Sequence, residues 1–358
     1  MRTLVFWGDA PLSRARARAA AGDLILLWGR REAGGEDGPL KSADWSEDKG
    51  ARVEAAVTEW TRAIAEAPLL EGRPLRDLFH WEGLSLWPLV EHFFLGMDSA
   101  AAGCVRLVES FGIVFETELP DEVEAVGLRE DEIRLLDRCC TAKGVLFQGE
   151  PPRRGGRAPA GAQRRDPLSL FGRMRAAFRA PRKVEAGAVV LVRPESAPGE
   201  SGDATPQLPT EELEAVTVTV VGGQDGLAPE SALDGAARQA IRNAEAVFHE
   251  VLETLKDAPS TMAAFRHDDV SFADLAAAPD LDAILGGVLP RAVRRAEGVR
   301  ALLRSTSPRA LCARADDLLV LHAGRLAGLP VDAFSDAGDA LRVLRGLDAS
   351  SREAGMVG

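Results

Sequence analysis

Short apolar runs, each stopped by a glycine or turn and separated by helix-favouring stretches, constrain this chain most. Residues 3–7 (Thr-Leu-Val-Phe-Trp) end at Gly8-Asp9, and residues 24–28 (Leu-Ile-Leu-Leu-Trp) end at Gly29-Arg30. The Ala/Arg-rich stretch between them, 11–21, favours helix. A continuous rather than alternating apolar run suits a strand buried on both faces. The alternation continues: helices are expected at 50–67, 98–111 and 130–143, and strands at 113–117, 145–148, 188–192, 215–221 and 309–313. Strands joined through helices lie parallel. The expected fold is therefore α/β: one Rossmann-like, mostly parallel sheet flanked by helices, with extra helical segments at 231–256 and 271–304.

Composition divides the chain. Residues 1–149 read as the first part of an α/β domain. Residues 150–186 form a basic Gly/Pro/Arg-rich linker carrying an amphipathic helix. Residues 187–334 continue the same domain with a helical region, and 335–358 are a helix with a frayed tail. No repeat of fixed period is expected. Net charge is −12, which argues against general nucleic-acid binding. Residues 151–183 nevertheless hold ten Lys and Arg against the single acid Asp166, leaving −21 on the remainder. Within them Phe171, Met174 and Phe178 line one side of a helix flanked by Arg173, Arg175 and Arg179. That pattern fits contact with an anionic membrane, and equally a helix docked on the acidic remainder. No signal peptide or 18-residue apolar span is read, so the expected location is cytoplasmic, and peripheral at the inner membrane face if the basic helix meets the membrane. Cys104, Cys139, Cys140 and Cys312 stand in apolar or helical contexts without metal-ligand spacing, as buried free thiols would.

Residues 78–94 (Leu-Phe-His-Trp-Glu-Gly-Leu-Ser-Leu-Trp-Pro-Leu-Val-Glu-His-Phe-Phe) concentrate the chemistry. They predict a turn feeding a helix with Ser85 as N-cap, Pro88 in the first turn, and Leu86, Val90, Phe93 and Met97 on the buried face. The turn reads either as a binding edge or as the polar rim of a core helix. His80, Glu82 and Asp9 are the candidate catalytic residues. Asp9 ends the first strand, where ligands of open α/β sheets collect, and could act as a base, bind a hydroxyl or cap the next helix. The three are expected together at the carboxyl edge of the sheet. Trp81, Glu91 and His92 are candidate binding residues; Glu91 and His92 sit about 100° apart on a helix, so at most one faces a given ligand.

Gly-x-Gly-x-x-Gly after the first strand, the P-loop, Gly-x-Ser-x-Gly and His-Glu-x-x-His are all missing. Gly222-Gly223 reads as a turn. His267-Asp268-Asp269 holds metal-binding atom types, but consecutive spacing reads as a cap or exposed loop. His249 with Glu245 and Glu253 reads as surface helix pairs. No metal and no cofactor are expected.

Residues 78–94, with their Gly-Leu-Ser-Leu-Trp-Pro-Leu-Val-Glu core, and the unit from Ser307-Pro308-Arg309-Ala310-Leu311 to Gly328-Leu329-Pro330 carry a resemblance. The chain resembles the amino-terminal half of bacterial glycosyltransferase-like proteins of the two-Rossmann (GT-B) type, linked to surface and capsular polysaccharides. In that group a Gln-His-Gly-like element follows and leads into the donor-binding domain. Here Val331 is followed by Asp332-Ala333-Phe334-Ser335, and 27 residues remain. The resemblance implies an acceptor-side or accessory half without a donor-nucleotide domain. The partners this implies are a sugar or lipid-linked acceptor and a separate donor-binding protein; the basic helix adds an anionic membrane surface, and the net charge argues against nucleic acid. The other reading is a non-catalytic binding or scaffold protein at the cytoplasmic membrane face.

Overall fold

The computed structural model describes residues 2–8, 12–18, 24–28, 40–42, 47–149, 188–192, 218–221, 233–335, 339–340, 342–345 and 347. Its elements run β1 (Thr3–Trp7), α1 (Leu12–Arg18), β2 (Leu24–Leu27), β3 (Leu40–Ser42), α2 (Glu47–Glu66), β4 (Pro68–Leu70), β5 (Arg73–Pro74), β6 (His80–Trp81), β7 (Leu84–Ser85), α3 (Trp87–Leu95), α4 (Ala100–Glu118), β8 (Glu122–Val126), α5 (Glu130–Lys143) and β9 (Leu146–Gly149). There follow β10 (Val189–Val192), β11 (Val218–Val221), α6 (Gly235–Leu255), α7 (Pro259–Ala264), β12 (Arg266–His267), β13 (Val270–Ser271), α8 (Ala273–Ala283), α9 (Leu289–Thr306), β14 (Ala310–Arg314), α10 (Leu318–Leu326) and β15 (Val331–Phe334).

The chain forms two compact units. The first comprises Met1–His80, Ser85–Gln163 and Glu250–Gly286, and the second Trp81–Leu84, Arg164–His249 and Gly287–Gly358. The α/β class and the mostly parallel strands match the expectation. The single sheet does not: β3-β2-β1-β8-β9 form one parallel sheet and β11-β10-β14-β15 another. A continuous apolar run says that a strand is buried but not which strand it pairs with.

In the first unit the β1 side chains Leu4, Val5 and Phe6 are buried, as are Val123, Ala125 and Val126 of β8. Phe6 meets Phe111 edge-on at 5.4 Å, and Trp28 stacks on Phe111 at 4.6 Å. Ile113–Thr117, expected as a strand, is the last part of α4. That helix packs against α2, α3, α5, α8 and β12. With its interior residues buried on several sides it loses the apolar stripe that periodicity reads, and its β-branched run mimics a strand. A second aromatic cluster sets Trp60 against Phe94, Phe265 and Phe272. In the second unit Val190, Val192, Leu311 and Ala313 pack with Val299, Leu302 and Leu303 of α9 and Val320 and Leu321 of α10. Of Asp316 and Asp317, either of which could cap the helix, it is Asp317 that caps α10 through Val320 N.

A local repeat that no fixed sequence period announced is plain in three dimensions. Phe79-His80-Trp81-Glu82-Gly83-Leu84-Ser85-Leu86 and Phe265-Arg266-His267-Asp268-Asp269-Val270-Ser271-Phe272 fold alike. In each, the first residue's carbonyl accepts from the N–H seven residues on, at 2.9 Å, and a helix follows. Both turn residues of each hairpin have positive φ: Glu82 48° and Gly83 81°, Asp268 46° and Asp269 63°. These are two-residue type I′ turns, whose twist matches that of the flanking strands.

Candidate functional site

The turn at 82–83 projects from the hairpin that precedes α3. That helix begins at Trp87 with Leu86 as N-cap, one residue later than expected; the Ser85 hydroxyl instead accepts from Trp87 N at 3.2 Å. Its buried stripe is Leu86, Val90 and Phe94, because the helix ends at Leu95 and leaves Met97 82% exposed.

Within the second unit the hairpin tip is held by a polar network. Trp81 is buried and lies edge-on to the His322 ring at 5.8 Å. His322 Nε2 is 3.0 Å from the Glu82 carbonyl, so this nitrogen carries the donated proton. Arg300 Nη1 reaches Glu82 Oε1 and Glu297 Oε1, each at 3.3 Å. Glu297 is 1% exposed, and its Oε2 has no hydrogen-bond partner among the described residues. Burial pushes its carboxyl above the usual range, and Arg300 opposes that shift. One guanidinium thus bridges an exposed carboxylate and a buried, more readily protonated one. Such a pair can hold a proton on one carboxyl and receive a hydroxyl or cation at the other.

Of the expected site residues, Trp81 and Glu82 belong to this network. His80 is exposed and, unlike Glu82, belongs to the first unit. Glu91 is half-buried and His92 exposed on α3. Asp9, Gly222-Gly223 and the basic helix with Phe171, Met174, Phe178, Arg173, Arg175 and Arg179 lie outside the described residues. No helix among the described residues is long and apolar enough to cross a membrane. Around His249 the expected pairs are absent: Glu245 binds Arg294 at 2.8 Å and Glu253 binds Lys256 at 2.7 Å.

The first unit holds a second cluster. Glu109, an acid in the apolar α4, is buried; its Oε1 is 2.6 Å from Arg52 Nε and its Oε2 3.1 Å from His267 Nε2. Arg52 also binds Glu116 through Nη1 at 2.7 Å and Nη2 at 3.0 Å. Asp268, in the turn after His267, completes a group whose ligand atoms all lie within 4.8 Å of one another. The sequence flagged His267 and Asp268 but not Glu109. The only local signal was a lone acid amid Val105, Val108 and Phe111.

Ligands of parallel sheets collect where strand order reverses, between β1 and β8 and between β10 and β14 here. At the first reversal Gly8 N donates to Val126 O at 2.9 Å, and a Cβ on Gly8 would stand 2.5 Å from Gly127 O. The next helix, α5, opens with Glu130, Asp131 and Glu132, and Glu132 caps Arg129 N at 2.8 Å. At the second, β14 runs into Asp316, paired with Arg314, and Asp317, paired with Arg295 at 2.7 Å. The acids at the starts of α5 and α10 oppose a phosphate there, which wants free N–H groups, whereas α1, after β1, has no acid in its first turn. The chain matches no family model, no curated protein and no solved structure.

Proposed function

We propose that this is a glycosyltransferase-like protein of surface-carbohydrate assembly, acting on the acceptor side or as an accessory half, with a Rossmann-like fold in its first unit. The observation that carries it is strand order: β3-β2-β1-β8-β9 reverses between β1 and β8, where ligands of open α/β sheets collect, and the helix that follows β8 opens with acids. Acids at the start of α5 weigh against a phosphate on that side of the reversal, which suits a neutral glycan better than a nucleotide sugar. Glu82, exposed and oriented by Arg300, is the described residue best suited to meet a sugar hydroxyl or serve as base. Glu82 belongs to the second unit; Asp9 and His80, of the first, are separate candidates there. The donor nucleotide would be handled by a separate protein. Calorimetric titration with neutral oligosaccharides, lipid-linked oligosaccharides and nucleotide sugars tests this. Saturable glycan binding without nucleotide-sugar binding is expected; nucleotide-sugar binding alone overturns the reading.

One observation favours a second reading, a non-catalytic binding or scaffold protein. The Glu82 side chain is held by Arg300 and its carbonyl by His322, as an anchored hairpin would be. Glu82→Gln separates the two. Lost glycan binding at unchanged thermal stability supports the first; lower stability with unchanged binding supports the second.

A further inference from the structure

We infer that Glu109, His267 and Asp268 form a binding site for a divalent first-row transition ion, with Zn2+ the natural probe. The inference is independent of the carbohydrate reading. One imidazole nitrogen and two carboxylates are donors that such ions accept, and three protein ligands leave a position open for water or substrate. Ligand atoms about 2.1 Å from a tetrahedral ion stand roughly 3.4 Å apart. The 3.1 Å between His267 Nε2 and Glu109 Oε2 is already close to that spacing. Asp268 completes the group, within 4.8 Å, from an exposed turn that can draw in around an ion.

The surroundings favour the ion. Arg52 binds Oε1 of Glu109 and leaves Oε2 facing His267, so it orients the ligand without occupying the ligating atom. Its charge is met by the two-point contact with Glu116. Asp268 and Glu109 then supply the negative charge that a dication needs. The four cysteines are buried with thiols pushed up to about 12, so they do not compete for the ion in the folded protein. The hairpin is what makes the site: a type I′ turn puts His267 at a strand end and Asp268 in the turn beside it. The duplicate hairpin carries Trp81 and Glu82 at these two positions, and its tryptophan cannot ligate.

Zn2+ titration of the folded full chain, followed by calorimetry and by the shift in thermal midpoint, tests the inference. One ion per chain is expected, with binding at least ten-fold weaker in His267→Gln. That variant keeps a donor for Glu109, so its fold in the absence of metal should match wild type. Asp268→Asn, a substitution that the positive φ of the turn accepts, provides a second variant and should also bind at least ten-fold more weakly. His249→Ala, which removes an exposed imidazole on α6, should bind as wild type does. No binding by wild type overturns the inference. So does wild-type affinity in both His267→Gln and Asp268→Asn, or an equal loss in His249→Ala.

Discussion

Glu297 hydrogen-bonds through one oxygen and not the other while almost wholly removed from water, a state that disfavours ionisation. Because its folded pKa lies above the unfolded one, its contribution to stability is fully present below the unfolded value. That contribution is lost as pH rises through the folded value. Wild type should therefore lose part of its stability between acid and neutral pH on account of this group. Glu297→Gln should be at least as stable at pH 7 and should flatten that slope, as read from denaturant midpoints across the range. An unchanged slope, with the variant weaker at every pH, would show that the Arg300 contact outweighs burial. Gly8 is constrained by a neighbour rather than by its own torsions, since the obstructing atom is the Gly127 carbonyl. Gly8→Ala should cost about 1–3 kcal/mol by forcing backbone apart at the sheet edge, measurable by chemical denaturation. A neutral substitution would mean that β1 and β8 separate easily there.

At the scale of elements, α4 owes its start to a residue 180 positions away. Asp280 Oδ1 accepts from Ala100 N at 2.7 Å, and Oδ2 from Ala101 N at 2.9 Å and from the Ser99 hydroxyl at 2.8 Å. Ser99 in turn caps Ala102 N at 3.0 Å. Side chain and carboxylate together satisfy the first N–H groups of the helix and place negative charge at its positive end. Asp280→Ala would leave buried donors without acceptors, and a loss of about 3 kcal/mol is expected. Asp280→Asn should lose less, because one acceptor oxygen remains. A loss under about 0.5 kcal/mol in the alanine variant would mean that water replaces the carboxylate. The two hairpins are elements of another kind: each is fixed by its turn, with a buried hydrophobic at either end, and each delivers a different polar pair.

For the molecule as a whole, the cysteines offer a test that needs no ligand. Cys104, Cys139 and Cys140 belong to the first unit and Cys312 to the second, and all four are buried free thiols. Burial is the leading cause that pushes each up to about 12. No fast reaction with a thiol reagent is expected at pH 8 in the native protein, and all four should react once denaturant unfolds it. Rapid labelling of any one in the native protein, located by peptide mass mapping, would contradict its burial.

The sequence by itself determined the pieces whose signal is local. The continuous apolar runs at 3–7 and 188–192 became β1 and β10, the stretch 130–143 became α5 with those bounds, and Gly328, at φ 74°, follows the end of α10. Propensity, caps and run length act over a few residues, and they survive folding unchanged. Tertiary structure decided the rest. It made Ile113–Thr117 a helix, because burial on several sides removes the periodicity that separates a buried helix from a strand. It sorted look-alike strands into two sheets, and it brought His267 to Glu109 across 158 residues and Arg300 to Glu82 across 218. Such pairings depend on the path of the whole chain, and no local pattern of residues encodes that path.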